Sequence, residues 1–110
     1  MTRAALPHRR PNITRAVHWD GHEFSVTIGL DPRTGKPAEV FADTAKGGQM
    51  QATIADACVM ISIALQHGIT PAELAKSLGR VPVFTGEDCA TGPASPVGAV
   101  VEAIQAEVAG

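Results

Sequence analysis

Hydrophobic and polar residues alternate in two consecutive segments near the start of the chain. Every second residue from Ile13 to Trp19 falls on one face, and in the next segment that face holds Phe24, Val26, Ile28 and Leu30. A period of two over this length predicts two β-strands. Asp20-Gly21 stands between them and predicts a two-residue hairpin, because both central positions of such a turn need positive φ.

A second turn and a third strand follow. Asp31-Pro32-Arg33-Thr34-Gly35 has the composition of a turn, and a strand is predicted from Lys36 to Asp43. Pro37 cannot donate a backbone hydrogen bond, so it belongs at the start of a strand or on a sheet edge. Together the three segments predict an antiparallel meander with one apolar face that other elements must cover.

The cover is predicted to be helical. From Gln49 to His67, apolar residues recur every three or four positions, at Met50, Ile54, Cys58, Ile61 and Leu65. Alanines and branched residues fill most of the remaining circumference, which predicts a central helix with Asp56 on a narrow polar strip. Gly68 is placed to end this helix in the left-handed conformation.

Two more helices complete the prediction. Thr70-Pro71-Ala72-Glu73 has the pattern of a capping box and begins a short helix that ends near Gly79. Residues 80–94, rich in Gly, Pro, Thr and acidic residues, are predicted to form a loop. A last helix begins at Ser95-Pro96, with one apolar stripe formed by Val97, Val100, Val101, Ile104 and Val108.

The predicted fold class is therefore α+β: a three-stranded antiparallel meander packed against two long helices and one short helix. The chain of 110 residues suits one domain, expected over residues 12–110 after a flexible basic arm at 1–11. Hydrophobic residues make up 45% of the chain and charged residues only 18%. Because charged residues are few and two helices are strongly apolar, we expect a partner to cover part of the surface. The simplest such assembly is a homodimer.

Several short motifs occur in a recognisable order. The strand ending Phe41-Ala42-Asp43 is followed by Lys46-Gly47-Gly48, by Ser62-Ile63-Ala64-Leu65-Gln66-His67-Gly68 and by Pro71-Ala72-Glu73. In order and spacing they resemble the TSCPD domain, found near the C-terminus of adenosylcobalamin-dependent ribonucleotide reductases. The resemblance covers about residues 9–80, including the lead-in Arg9-Arg10-Pro11. The eponymous Thr-Ser-Cys-Pro-Asp string is absent, and residues 81–110 depart from the reductase version.

What the resemblance implies is a stand-alone accessory domain. The reductases' nucleotide-binding barrel and radical-forming cysteine belong to a separate, much larger domain that this chain does not contain. The expected function is a non-catalytic binding or assembly module that presents a surface to a protein or nucleic-acid partner. The alternatives are a component of a ribonucleoside-diphosphate reductase and a small nucleic-acid-binding protein.

An anion or nucleotide site is predicted at Lys46, Gly47 and Gly48. A lysine and two glycines directly before a helix place a positive charge beside free backbone N–H groups. The simpler interpretation is a strand-to-helix turn that needs glycine, and no full phosphate-loop motif is present. Arg9, Arg10 and Arg15 are the candidates for contact with nucleic acid or an acidic partner, although a net charge of −2 gives no overall attraction.

The sequence gives little support for a catalytic, disulfide-forming or metal-binding role of the cysteines and histidines. Cys58, inside an apolar helix, is expected to be a buried hydrophobic residue, and Cys89 to lie in a polar loop; a disulfide between them is the less favoured arrangement. His18 and His22 flank a turn and are expected to be exposed rather than to build a zinc site with Cys89 or His67. No metal, cofactor or catalytic residue is predicted. Without a secretory signal or an unbroken apolar span, the expected location is the cytoplasm, away from membranes.

Overall fold

The first three strands form the antiparallel meander that the alternating pattern predicts. The structure, a computed structural model, describes residues 12–44, 48–85 and 88–109. Strands β1 (Asn12–Trp19), β2 (His22–Leu30) and β3 (Pro37–Thr44) lie in that order across one sheet. Asp20 and Gly21 have φ of 46° and 76°, so the predicted two-residue hairpin is confirmed.

The second turn closes as predicted and leaves β3 at the edge of the sheet. The carbonyl of Asp31 accepts hydrogen bonds from the N–H groups of Gly35 at 2.7 Å and Thr34 at 3.2 Å. The backbone N–H and the guanidinium of Arg33 also donate to the Asp31 carboxylate and lower its pKa. Pro37 begins β3, where its missing N–H removes no ladder bond from a central strand.

Three helices follow: α1 (Gly48–Gln66), α2 (Pro71–Ser77) and α3 (Pro96–Ala109). Gly68, with φ of 91°, lies just after α1, as predicted. The hydroxyl of Thr70 accepts a hydrogen bond from the N–H of Glu73 at 3.1 Å, which confirms Thr70 as the N-cap of α2.

The central helix is α3, and the prediction that the first long helix would be central is wrong. On α3, Ala99, Val100, Val101, Ala103 and Ile104 are all buried against the sheet and the other helices. By contrast, α1 lies along the edge strand β3 and buries mainly one side, at Ile54, Cys58 and Ile61. Its position at the sheet edge leaves the opposite side in solvent.

The prediction of a loop over residues 80–94 is also wrong. This segment contains a second, two-stranded antiparallel sheet made of β4 (Arg80–Thr85) and β5 (Asp88–Pro93). Residues 80–84 of β4 are all exposed, so the apolar residues Val81, Val83 and Phe84 do not form a buried face. Pro82 is tolerated because each strand of a two-stranded sheet has a free edge. The fold class remains α+β.

Candidate functional site

The inner side of α1 carries a polar stripe that faces the edge of β3. Gln51, Ser62 and Gln66 are separated by eleven and four residues, close to whole numbers of helical turns, so they project in nearly one direction. An edge strand leaves every second backbone N–H and C=O group without a neighbouring strand. The three side chains supply those missing partners.

Ser62 makes the central contact of this stripe. Its hydroxyl accepts a hydrogen bond from the N–H of Val40 at 3.0 Å and donates one to the carbonyl of Cys58, one turn earlier in α1, at 2.8 Å. Ser62 is only 3% exposed, so water cannot replace either bond. Ser62 therefore joins α1 to the middle of β3.

The two glutamines act at the ends of the same strand. The Gln51 carboxamide bridges two groups: its oxygen accepts from the N–H of Thr44 at 2.6 Å, and its nitrogen donates to the carbonyl of Ala42 at 3.2 Å. The nitrogen of Gln66 donates to the carbonyl of Ala38 at 2.9 Å. Side chains of α1 thus take the place of a fourth strand and block edge-to-edge pairing at β3.

In the second half of α1, the opposite side is apolar and open to solvent. Val59, Met60 and Ile63 are 53%, 70% and 47% exposed and lie within one turn of each other; we call these three residues the outer face. Asp56 is the one charged residue of α1, and the helix contains no lysine or arginine. The outer face is therefore hydrophobic and has no cation in its own helix.

By length and composition alone, α1 also resembles a membrane-spanning helix. It has 19 residues, and the mean hydropathy of its most apolar window is 1.3. The core helix of a soluble protein can meet the same criteria. In this fold the polar stripe of α1 forms hydrogen bonds with β3. The large apolar side chains of α1 that remain in solvent are those of the outer face.

The predicted anion site lies at the junction of β3 and α1. Gly48 opens α1 with φ of 81°, a conformation that favours glycine, while Lys46 and Gly47 lie outside the described residues. A shallow hollow beside the junction is lined by Glu23 and Asp43 among others. These two carboxylates bring negative charge to this side of the junction.

Of the predicted basic contacts, Arg15 lies on β1 and is already paired. Its guanidinium donates to the carboxylate of Glu107 on α3 at 2.9 Å, which joins the first strand to the last helix. Arg9 and Arg10 lie outside the described residues. The other two arginines in the described ranges are paired as well, Arg33 with Asp31 and Arg80 with Glu102.

Cys58 behaves as the buried hydrophobic residue that the pattern predicts. It is a free thiol and only 3% exposed. Burial, assisted by the negative charge of Asp43, raises the pKa of Cys58 to about 11. The thiol therefore stays protonated near neutral pH and is a poor nucleophile. The side chain of Cys89, on β5, lies outside the described part of the structure.

The three histidines in the described ranges have different surroundings. His18 lies 3.8 Å from the Glu23 carboxylate on the neighbouring strand, and His22 stacks on Trp19 with ring centroids 6.3 Å apart. His67 is exposed beyond the C-terminal end of α1. Over residues 12–44, 48–85 and 88–109, no three His, Cys, Asp or Glu side chains come together in an arrangement that could hold a metal ion.

Comparison with protein family models identifies the domain family of this chain. The family model described as the TSCPD domain matches residues 2–108, nearly the whole chain. The chain belongs to the TSCPD domain family. The resemblance seen in residues 9–80 is thereby confirmed, and the match extends through the β4–β5 hairpin and α3. No curated protein and no solved structure matches the chain.

In this TSCPD domain, the Ser-x-Ala-Leu-Gln motif has a structural explanation. Its two hydrophilic residues, Ser62 and Gln66, are bound to the backbone of β3. Both residues belong to the motifs that carry the family resemblance, whereas Gln51 lies outside those motifs and was not predicted. The spacing of eleven residues between Gln51 and Ser62, three turns of a helix, is the signal that could have identified it.

Proposed function

We propose that this TSCPD domain is a non-catalytic assembly module that associates through the outer face of α1, and that its partner is a second copy of the chain. The observation that carries the proposal is the cluster of Val59, Met60 and Ile63, which stand in solvent on a helix whose opposite side is bound to β3 through Ser62 and Gln66. Burying such a cluster against another apolar surface is favourable.

The chemistry of α1 favours a protein over a nucleic acid. Affinity for nucleic acid comes largely from lysines and arginines that neutralise phosphate groups, and α1 contains neither. The arginines at positions 15, 33 and 80 are engaged with carboxylates of the same chain. A nucleic acid that binds at these three arginines would have to compete with their ion pairs, whereas an apolar protein surface on the outer face meets only the charge of Asp56.

A second copy supplies a matching surface through two-fold symmetry. Two α1 helices packed antiparallel around Val59 and Met60 would bury these side chains against each other and oppose their helix dipoles. The two Asp56 carboxylates would then lie roughly 10 Å apart along the helices, about two turns, which limits their repulsion. Each copy would keep the bonds between α1 and β3 intact.

Family membership supports an accessory role near deoxyribonucleotide synthesis as the second candidate. The family suggests a domain related to ribonucleotide reductase. If the chain is a component of such an enzyme, we propose that it contributes assembly rather than chemistry, since the described thiol, Cys58, is buried and protonated. Reduction of ribonucleoside diphosphates by the isolated chain would contradict a non-catalytic role.

Sedimentation velocity over a range of concentrations tests the proposed dimer. The wild-type chain is expected to sediment as a dimer at micromolar concentration, and Met60→Glu as a folded monomer, because the new charge would be buried in the interface. Phe84→Glu is the matched control: Phe84 is 76% exposed on β4, outside the outer face. A monomeric wild type, or a dimer that Phe84→Glu disrupts and Met60→Glu does not, would refute this interface.

A further inference from the structure

A cleft of about 340 Å³ opens where α1 passes into α2. Its walls come from five parts of the fold: the end of α1, the α1–α2 connection, the start of α2, the two residues at the entry to β3 and one side chain of α3. Its volume is at the lower end of the range, about 300–1,000 Å³, that is usual for small-molecule sites. No residue of the outer face lines it.

The lining of the cleft is mostly apolar. Leu65, Ile69, Pro37 and Pro71 contribute hydrocarbon surface. Ile69 is 40% exposed although it is a large aliphatic residue. A cleft walled in this way favours a ligand with a compact apolar body.

Two polar side chains in the lining of the cleft are available to bind polar groups of a ligand. Lys36 is the one charged residue in the lining, and its ammonium forms no ion pair with a carboxylate of the described residues. Gln105 lies half-buried on α3, and its side chain makes no hydrogen bond with any residue that the structure describes. The hydroxyl of Thr70 is already used to cap α2, so it adds no free acceptor.

From this arrangement we infer that the cleft binds a small amphipathic anion: an apolar body, aromatic or branched aliphatic, with one carboxylate or phosphate group. The body lies against Leu65 and Ile69, the anionic group pairs with Lys36, and the amide of Gln105 binds a polar atom of the ligand. The inference does not depend on the proposed dimer, because the cleft and the outer face share no residue.

A titration followed by amide chemical shifts tests this site. The probe is hydrocinnamate, an aromatic ring with one carboxylate, and its neutral counterpart is hydrocinnamyl alcohol. Hydrocinnamate is expected to shift the backbone amides of Lys36, Gly68, Ile69, Thr70 and Ala72, and to bind more tightly than the alcohol. Lys36→Met should weaken binding of the anion by about threefold, the scale of an exposed ion pair, and leave binding of the alcohol unchanged.

Two further variants complete the design. Ala72→Trp, at an exposed position that lines the cleft, should block both probes by filling the volume. Lys76→Met removes an exposed lysine of α2 outside the cleft and should change neither titration. The inference is overturned if hydrocinnamate shifts no amide of residues 68–72, if its shifts centre on Val59 to Ile63, or if Lys36→Met and Lys76→Met weaken its binding equally.

Discussion

At the scale of single residues, the burial of Cys58 predicts how the free energy of unfolding depends on pH. The thiol pKa is raised from 9.0 to about 11, mainly because burial penalises the thiolate. Below pH 9 the thiol is protonated in both the folded and the unfolded chain, so it adds no pH dependence. Above pH 9 the unfolded thiol ionises first, so the free energy of unfolding falls by about 1.4 kcal/mol per pH unit until the folded thiol also titrates.

Urea unfolding at about pH 8 and about pH 10 measures this effect. The wild-type chain is expected to lose about 1.4 kcal/mol more stability between the two conditions than Cys58→Ala, which has no thiol to ionise. All other titrating groups are common to both chains and cancel in the comparison. Equal losses, or rapid labelling of native Cys58 by thiol reagents, would contradict the buried, protonated thiol.

Ser62 gives the second prediction at this scale. Replacing it by alanine leaves the buried N–H of Val40 without its acceptor, so Ser62→Ala should lower the free energy of unfolding by about 1–3 kcal/mol. Chemical denaturation of the variant and the wild type measures the difference. Ser77→Ala, at an exposed serine of α2, is the control and should have little effect. A neutral Ser62→Ala would mean that β3 does not depend on this contact.

At the scale of elements, the β4–β5 hairpin depends on contacts from distant parts of the chain. The indole N–H of Trp19, at the end of β1, donates to the carbonyl of Pro93 at 2.9 Å. The Arg80 guanidinium binds both the hydroxyl and the carbonyl of Thr91 within the hairpin, and Glu102 on α3 at 3.3 Å. These bonds compensate for the lack of a buried apolar face on β4.

Trp19→Phe should therefore loosen the hairpin more than the meander. Loss of the indole donor is expected to cost about 1 kcal/mol and to accelerate hydrogen exchange of the amides of β4 and β5. His22→Ala is the matched control, because it removes the ring stacked on Trp19 and keeps the hydrogen bond to Pro93. If β2 and β3 exchange faster in Trp19→Phe while β4 and β5 do not, the hydrogen bond has no local role.

At the scale of the whole molecule, the proposed dimer predicts a melting temperature that depends on concentration. A tenfold increase in protein corresponds to about 1.4 kcal/mol of dimer stability, which should raise the melting temperature of the wild type by a few degrees. Met60→Glu should melt at a temperature independent of concentration. Identical behaviour of the two chains in calorimetry would argue against assembly through the outer face.

Several features of this protein were determined by local sequence. The meander followed from alternation and from the Asp20-Gly21 turn, since a strand period and positive φ are properties of neighbouring residues. The N-cap at Thr70 likewise depends on atoms only three residues apart. Family membership could also be predicted, because the motifs between residues 41 and 73 occur in order along the chain.

Only the tertiary structure decided how these elements are used. Periodicity showed that α1 is apolar almost all round, but not that it lies at a sheet edge, with Ser62 bound to β3 and Met60 in solvent. The hairpin over residues 80–93 was predicted as a loop, and the bonds from Trp19 and Glu102 that stabilise it come from distant segments. The cleft beside Lys36 likewise needs five parts of the fold to meet. Which side of a helix is buried, and which segments enclose a space, depend on packing between residues far apart in the chain, and a local pattern does not encode that packing.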